Sequence, residues 1–350
     1  MTMRSHRRSV VTGVLALALA LTCVPARGQS PSVGDVFRRV APSVVVIRAR
    51  GREVGRDGGE VTFTETGSGV LIAPDGKVMT AAHVVHTMDT ITVETVGGQS
   101  IPARVISSEP AADLSLLQLD HVPPDLPSAP MANSDRVRVG DQVFVVGAPY
   151  GLSHSLSVGW ISARWAPNTM YKAMPLAEFF QTDAVINTGN SGGPMFSLDG
   201  EVVGVVSHNI SKSGGSEGLG FVVTMNTARQ LLLERRSFWS GLEGQLLTED
   251  LADVFNIPSR VLGYLVQSVA RDSPAAAMGL RGGTKTATID GRALTIGGDI
   301  VLEVVGVPVN TTADLVKIRE RLSALDPGAP FAVKALRGGQ VLELSGRVPK

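Results

Sequence analysis

Asn187-Thr188-Gly189-Asn190-Ser191-Gly192-Gly193-Pro194 is the stretch on which the reading of this chain turns. It sets a serine inside a glycine-rich turn. A serine hydroxyl is a weak nucleophile near neutral pH and gains reactivity only beside a base. When it attacks a carbonyl, the charge that develops on oxygen needs N–H donors already aimed at it. Glycines allow left-handed backbone and bring bare amides close to a bound group. The same octapeptide also fits an ordinary turn between two strands, so its meaning rests on what stands upstream.

Two segments supply that context. Thr80-Ala81-Ala82-His83-Val84-Val85 follows a strand-like run over 77–79 and sets His83 among small residues, with room for an imidazole to face a cleft. Asp113-Leu114-Ser115-Leu116-Leu117-Gln118-Leu119 puts a carboxylate at the head of a strand whose apolar residues call for burial. Taken singly, these read as a turn histidine and a strand-start aspartate. Taken together, the order His83, Asp113, Ser191 is one of the few chain orders in which a serine, its base and the acid that orients the base occur. His83 and Asp113 fall in the first half of a β-rich region and Ser191 in the second, which suits a site between two barrels.

With these residues in place the chain resembles the HtrA (Deg) family of serine proteases. Gly67-Ser68-Gly69-Val70-Leu71-Ile72 through His83 is similar to that family's histidine block, and Asp113 to Leu117 to its aspartate block. Gly147-Ala148-Pro149-Tyr150-Gly151-Leu152 resembles its Gly-x-Pro-aromatic-Gly signature. The run from Phe180 to Pro194 resembles its serine block, and Gly218-Leu219-Gly220-Phe221 a later segment. The resemblance implies a mainly β fold of two six-stranded antiparallel barrels of the chymotrypsin/trypsin type. It implies His83 as general base, Asp113 as its orienter and Ser191 as nucleophile, with the N–H groups of Gly189 and Ser191 forming an oxyanion hole. It implies no metal and no cofactor. The activity implied is ATP-independent cleavage of unfolded or damaged polypeptides; the alternatives are a peptide-binding chaperone or scaffold with an idle protease fold, and a narrow processing protease. Three positions depart from the family: Thr188 where proline is frequent, Trp160 where a small aliphatic residue is usual, and His208 in the strand bordering the specificity pocket, where small or apolar residues are usual.

Composition sets the outer limits. The 350 residues suffice for two or three domains. The 32 basic and 32 acidic residues balance, so bulk charge makes no case for a nucleic-acid partner. Arg4, His6, Arg7 and Arg8, an apolar stretch over 10–21 and Ala26-Arg27-Gly28 read as an export signal over 1–28, cleaved before Gln29. A membrane anchor is the alternative if the signal stays. The lone Cys23 falls inside this leader, so the mature chain would lack disulfides and rely on core burial and oligomerisation for stability. His83 and His86 stand three apart, but no further ligands cluster with them, whereas zinc takes three or four.

Short strands are expected at 43–47, 61–64, 70–72, 91–94 and 114–119 for a first barrel, and at 143–146, 156–162, 179–182, 202–206 and 221–224 for a second. Residues 51–60 read as a polar surface loop, and 228–235 as a helix closing the protease region of 29–240. The remaining 241–350 resemble a PDZ domain, with a helix over 312–322 whose Leu315, Ile318 and Leu322 share one face. That resemblance implies capture of C-terminal peptides by strand addition. Leu262, Gly263, Tyr264 and Leu265 match its carboxylate loop, Tyr264 being a departure from the usual form. Residues 283–297 carry no assigned role. Phe37 reads as a packing residue or, by analogy with trimeric HtrA proteins, as a contact in a homotrimer.

Overall fold

The computed structural model describes residues 32–349 except 56, 153, 172, 236, 256, 258–261 and 290. The expected leader, its cleavage site and Cys23 lie outside the described residues. Among the described residues no helix is long and apolar enough to cross a membrane.

The described chain opens with helix α1 (Val33–Val40). Ser32 caps it by accepting from the Asp35 amide while the Asp35 carboxylate accepts from Ser32, a reciprocal box that satisfies two end donors. Phe37 packs against the hydrophobic cluster that the two barrels of its own chain share.

Strands β1 (Val44–Val54), β2 (Glu60–Ala73), β3 (Lys77–Thr80), β4 (Thr90–Glu94), β5 (Ser100–Glu109) and β6 (Leu114–Leu119) close into a barrel in the order β1-β2-β3-β6-β5-β4, with the short helix α2 (Ala82–Val85) between β3 and β4. Their apolar runs are continuous because both faces are covered. Val45, Ile47, Leu71, Val78 and Leu117 fill this barrel. Val44, Val70, Met79 and Leu116 point the other way, onto Phe144 and Phe196 of the next barrel. Residues 51–54 and 60 are strand rather than the loop expected from their polarity. β1 and β2 form one long hairpin paired as far as Val54 with Glu60. Backbone pairing to an adjacent strand overrides side-chain polarity here, and the ribbon's polar faces suit exposure.

The second barrel comprises β7 (Gln142–Gly147), β8 (Ser155–Trp165), β9 (Phe179–Thr182), β10 (Pro194–Ser197), β11 (Val202–Asn209) and β12 (Gly220–Thr224), ordered β10-β11-β12-β9-β8-β7 and closed by β7 pairing β10. Its interior holds Val143, Val145, Ile161, Phe180, Met195 and Val222. Phe144 stacks on Phe196 at 5.4 Å between centroids in the seam between barrels. Truncating either ring would cost about 3–5 kcal/mol through lost burial and the cavity left behind. Helix α3 (Met225–Arg229), continued by a wider turn over Gln230–Glu234, closes this region.

The C-terminal unit runs β13 (Leu242–Leu246), α4 (Glu249–Val254), β14 (Tyr264–Val269), α5 (Pro274–Ala277), β15 (Lys285–Ile289), β16 (Arg292–Ile296), β17 (Ile300–Val304), β18 (Val307–Pro308), α6 (Thr312–Ser323), β19 (Pro330–Arg337) and β20 (Gln340–Arg347). Its main sheet is ordered β13-β14-β17-β19-β20, with β18 on β17. Residues 283–297 resolve into the separate hairpin β15–β16. On α6, Ile318 and Leu322 are buried and Leu315 packs beside them.

The placement of Leu262, Gly263, Tyr264 and Leu265 corrects their expected role. Tyr264 and Leu265 lie in β14, which is paired on one side to β13 and on the other to β17. The Leu262 amide donates to Asn310 Oδ1 (2.9 Å) and the Gly263 amide to the Val309 carbonyl (2.8 Å). Leu265 is buried, and the Tyr264 phenol has its pKa pushed up by burial. An internal strand cannot take on a further strand. The edge on this side of the sheet is β13.

The unit docks on the first barrel. Trp239 Nε1 donates to the His86 carbonyl (2.9 Å), and His86 Nε2 donates to the Leu242 carbonyl (3.0 Å) on β13. Arg319 of α6 grips the buried Glu109 carboxylate (Nη2 to Oε1, 2.7 Å). The Arg271 amide donates to Asp89 Oδ1 (2.7 Å), and its side chain pairs with Glu60 (3.1 Å). His86 is thereby accounted for: its Nδ1 meets the Ser108 hydroxyl at 2.7 Å, and burial holds its pKa down at about 4.

Candidate active site

Asp113 follows a short turn over Pro110–Ala112 and takes left-handed backbone (φ 54°), which turns its side chain back under α2. Its buried carboxylate accepts from the His83 amide (3.1 Å) and from His83 Nδ1 (2.9 Å to Oδ1, 3.0 Å to Oδ2). A carboxylate only accepts, so Nδ1 carries the proton and Nε2 is free to act as a base. Burial would raise the Asp113 pKa, but the hydrogen bonds from His83 and Ser207 and the nearby imidazole hold it below the usual carboxylate range. Burial likewise pulls His83 down, yet Asp113, with a further push from Glu65, leaves its pKa raised.

Ser191 lines the same cavity of about 770 Å³ as His83, Asp113, Gly189 and His208. Its hydroxyl donates to the Ser207 carbonyl at 3.3 Å, and among the described residues no hydrogen bond joins it to His83. Hydrogen bonds of this kind are often long or misaligned before substrate arrives.

The turn that carries Ser191 is built from close backbone approaches. Gly189 has φ +99°, and a Cβ there would run into the Ala148 carbonyl oxygen. Gly192 has φ +81°, and a Cβ there would strike Thr80 and the Ser68 carbonyl. Among the described residues the N–H groups of Gly189 and Ser191 donate to no protein acceptor. Two bare amides beside the serine are the arrangement an oxyanion requires.

Three supports went unread in the sequence. Ser68 on β2 is fully buried; its hydroxyl donates to the Gly189 carbonyl (2.7 Å) and accepts from the Ala148 amide (2.9 Å). Its own amide donates to the Ser191 carbonyl (2.8 Å). The segment around Pro149 braces the turn from the other side, with the Tyr150 amide donating to the Thr188 carbonyl (2.9 Å). Ser207 donates through Oγ to Asp113 Oδ2. It sits where the β11–β12 register slips between Val206 and His208, and no periodicity in the sequence marks such a bulge. Asp183 accepts from the Trp160 amide (2.6 Å), a structural role.

Two closed six-stranded antiparallel barrels, with a histidine–aspartate pair from the first facing a serine turn from the second, define the trypsin-like peptidase class. A trypsin-like peptidase domain model matches residues 67–205. The chain is 34% identical over 321 residues to a protein of Pseudomonas fulva (strain 12-X) named "Probable periplasmic serine endoprotease DegP-like", covering 89% of this chain and 64% of that one. It is 31% identical over 337 residues to "Periplasmic pH-dependent serine endoprotease DegQ" of Escherichia coli (strain K12), covering 90% and 69%. Among solved structures, "HtrA-type protease AlgWS227A with decapeptide" matches with a TM-score of 0.55 and 26% identity, over 91% of this chain and 97% of that one. The chain belongs to the HtrA (Deg) family of serine endoproteases. It spans roughly half to two thirds of the length of most of the curated relatives it matches, 64% and 54% for the first two.

Proposed function

We propose that this protein is an exported serine endopeptidase that cuts accessible, unfolded polypeptide without ATP. In this reading His83 Nε2 takes the Ser191 hydroxyl proton as the oxygen attacks the scissile carbonyl. Asp113 holds the Nδ1 tautomer and stabilises the imidazolium. The oxyanion of the tetrahedral intermediate is received by the Gly189 and Ser191 amides. His83 then returns the proton to the leaving amine, and water repeats the cycle on the acyl-enzyme. The observation that carries the reading is the buried Asp113 carboxylate gripping His83 Nδ1 in the same cavity as Ser191 and two unengaged amides. Incubation of the purified protein with unfolded casein, beside Ser191→Ala, tests it. Cleavage by wild type alone is expected, with the variant slowed on the order of 10⁴–10⁶-fold. Equal cleavage by both would refute it.

The Ser191 hydroxyl's contact with Ser207 rather than His83 favours one second reading, a peptide-binding holdase. The same assay decides it, since a holdase would bind casein and leave it intact. A narrow processing role is separated by offering native proteins beside casein.

In this proposal residues 241–350 act as a PDZ-type peptide module, with the edge strand β13 as the docking strand. An apolar cavity of about 270 Å³ supports this, walled by Leu242, Leu315, Ile318 and Leu322 and lined on the barrel side by His86 and Glu109. The relatives named periplasmic and the expected leader support a periplasmic location. A homotrimer is supported by Leu156, Val158 and Trp160, which stand exposed at alternate positions of β8; light scattering checks it.

A further inference from the structure

The site holds a second imidazole that the reaction above does not use. His208 adjoins Ser207 on β11, and neighbours on a regular strand face opposite ways. The slip in register between Val206 and His208 breaks that alternation, as bulges do. Both side chains consequently come together, with His208 Nδ1 3.0 Å from Ser207 Oγ. Ser207 has one hydroxyl proton and two acceptors within reach, the Asp113 carboxylate and His208 Nδ1. The carboxylate is charged and its contact is the shorter, so it takes the proton. His208 must then be the donor in its own contact, with the proton on Nδ1. Its Nε2 is left buried and without a hydrogen-bond partner, against an enclosure of Tyr171, Phe179 and Phe221 rings 4.3–5.6 Å away between centroids.

We propose that His208 is a positioning residue for the catalytic pair, donating from Nδ1 to Ser207 so that Ser207 donates to Asp113 and fixes the carboxylate that orients His83. The chain runs from His208 through Ser207 to Oδ2 of Asp113, crossing from one barrel to the other, while the His83 amide donates to Oδ1 and His83 Nδ1 lies within reach of both oxygens. A bare Nε2 suits a neutral ring: protonation there would bury an N–H and a charge among aromatic rings with no acceptor. Burial accordingly lowers the His208 pKa, with the Asp113 charge opposing and His83 reinforcing it. The titratable groups about the pair are Asp113, Glu65 and His208 facing His83, and Asp113, His83 and Tyr171 facing His208. The His208 pKa is lowered and the His83 pKa raised, so on acidification His83 takes up its proton before His208 does.

The inference rests on the peptidase reading, and one pair of variants in the full-length protein separates it from simple packing. His208→Phe keeps an aromatic ring in the enclosure and removes the donor. His208→Asn removes the ring and keeps an amide N–H near the position of Nδ1. If His208 positions the pair, kcat falls about fivefold in His208→Phe, as expected for one lost hydrogen bond between neutral groups, with KM little changed. The acid limb of its pH profile moves to higher pH, because an Asp113 with weaker donors holds the imidazolium more tightly. His208→Asn then retains most of kcat and the wild-type profile. The reverse order, with His208→Phe active and His208→Asn impaired, overturns the proposal and leaves a packing residue. Nitrogen-15 NMR of the wild-type His208 ring gives a readout that needs no variant: a neutral ring protonated on Nδ1 is expected, and protonation on Nε2 would overturn the proposal. Casein cleavage that survives Ser191→Ala would instead undo the peptidase reading itself.

Discussion

Replacing Ser68 by alanine tests how the oxyanion amides are held. The Ser68 hydroxyl lies in a site closed to water, donating to the Gly189 carbonyl and accepting from the Ala148 amide. Alanine leaves both groups buried without that partner. Each such orphan costs about 1–3 kcal/mol. The carbonyl keeps a second lone pair and the turn can relax a little, so a loss of about 3 kcal/mol in unfolding free energy is expected. The catalytic effect follows from geometry. The Gly189 amide and carbonyl lie in adjoining peptide planes joined through the φ and ψ of Gly189, so a carbonyl released from Ser68 lets those torsions shift and the amide drift from its line, with the Tyr150 contact to the Thr188 carbonyl still bracing the amide's own plane. Removing one oxyanion donor outright slows such reactions about 10²–10³-fold. A donor merely loosened should lose part of that, roughly tenfold to a hundredfold in kcat, with KM nearly unchanged. Urea unfolding gives the first quantity and steady-state hydrolysis of a short chromogenic peptide the second. Reduced stability with an unchanged kcat would refute the link from Ser68 to the oxyanion amides. Unchanged stability would refute the accounting of the two hydrogen bonds.

Further outcomes can be read directly. Activity should rise with pH along a limb centred above 6.5, because the raised His83 pKa keeps the imidazole protonated longer than in a free peptide. The stability that His83 contributes runs the opposite way: it is fully present below about 6.5, the unfolded value, and fades as pH rises through the folded pKa. A rate limb centred below 6.5 would contradict the Asp113 contact. Gly189→Ala should abolish hydrolysis while the barrels still fold, since a Cβ meets the Ala148 carbonyl at a left-handed backbone; near-normal turnover in this variant would argue against the turn geometry. Arg319→Ala leaves the buried Glu109 carboxylate without its cation, which typically costs about 3–5 kcal/mol and should free the C-terminal unit. Limited proteolysis should then cut the segment near Arg235 faster, and an unchanged digest would show that the docking does not depend on this pair.

What could be read in advance follows a physical divide. β6 and β9 were legible to the residue because Leu114–Leu119 and Phe179–Thr182 are apolar runs bounded by turn residues. Residues 51–54 were not, since a largely polar ribbon has the composition of a loop and declares itself only through its partner strand. Leu262 to Leu265 carried the local appearance of a carboxylate loop, and whether a strand is an edge or an interior one is decided by what lies beside it, which no local pattern records. The site divides the same way. His83, Asp113 and Ser191 stood out because their neighbours are distinctive, and the structure brings the first two into contact and the third into the same cavity. Ser68 and Ser207 are ordinary serines in strands; their roles come from a partner about 120 residues away for Ser68 (Gly189) and 94 away for Ser207. His208 departs from the small or apolar residue usual beside the pocket, and only the slipped register of β11 gives it an address.

The stapling of the serine turn to the first barrel has a temporal meaning. Gly192 fits against the first barrel because it has no Cβ to strike Thr80 and the Ser68 carbonyl, and the Ser191 carbonyl accepts from the Ser68 amide. Neither barrel alone therefore owns a usable nucleophile: the first has a base with nothing to activate, and the second a hydroxyl on an unbraced turn. On the proposed function, a chain whose two barrels have not yet met would lack a working site and so spare its neighbours. Completing the fold is then what assembles the working site, and parting the barrels would take it apart.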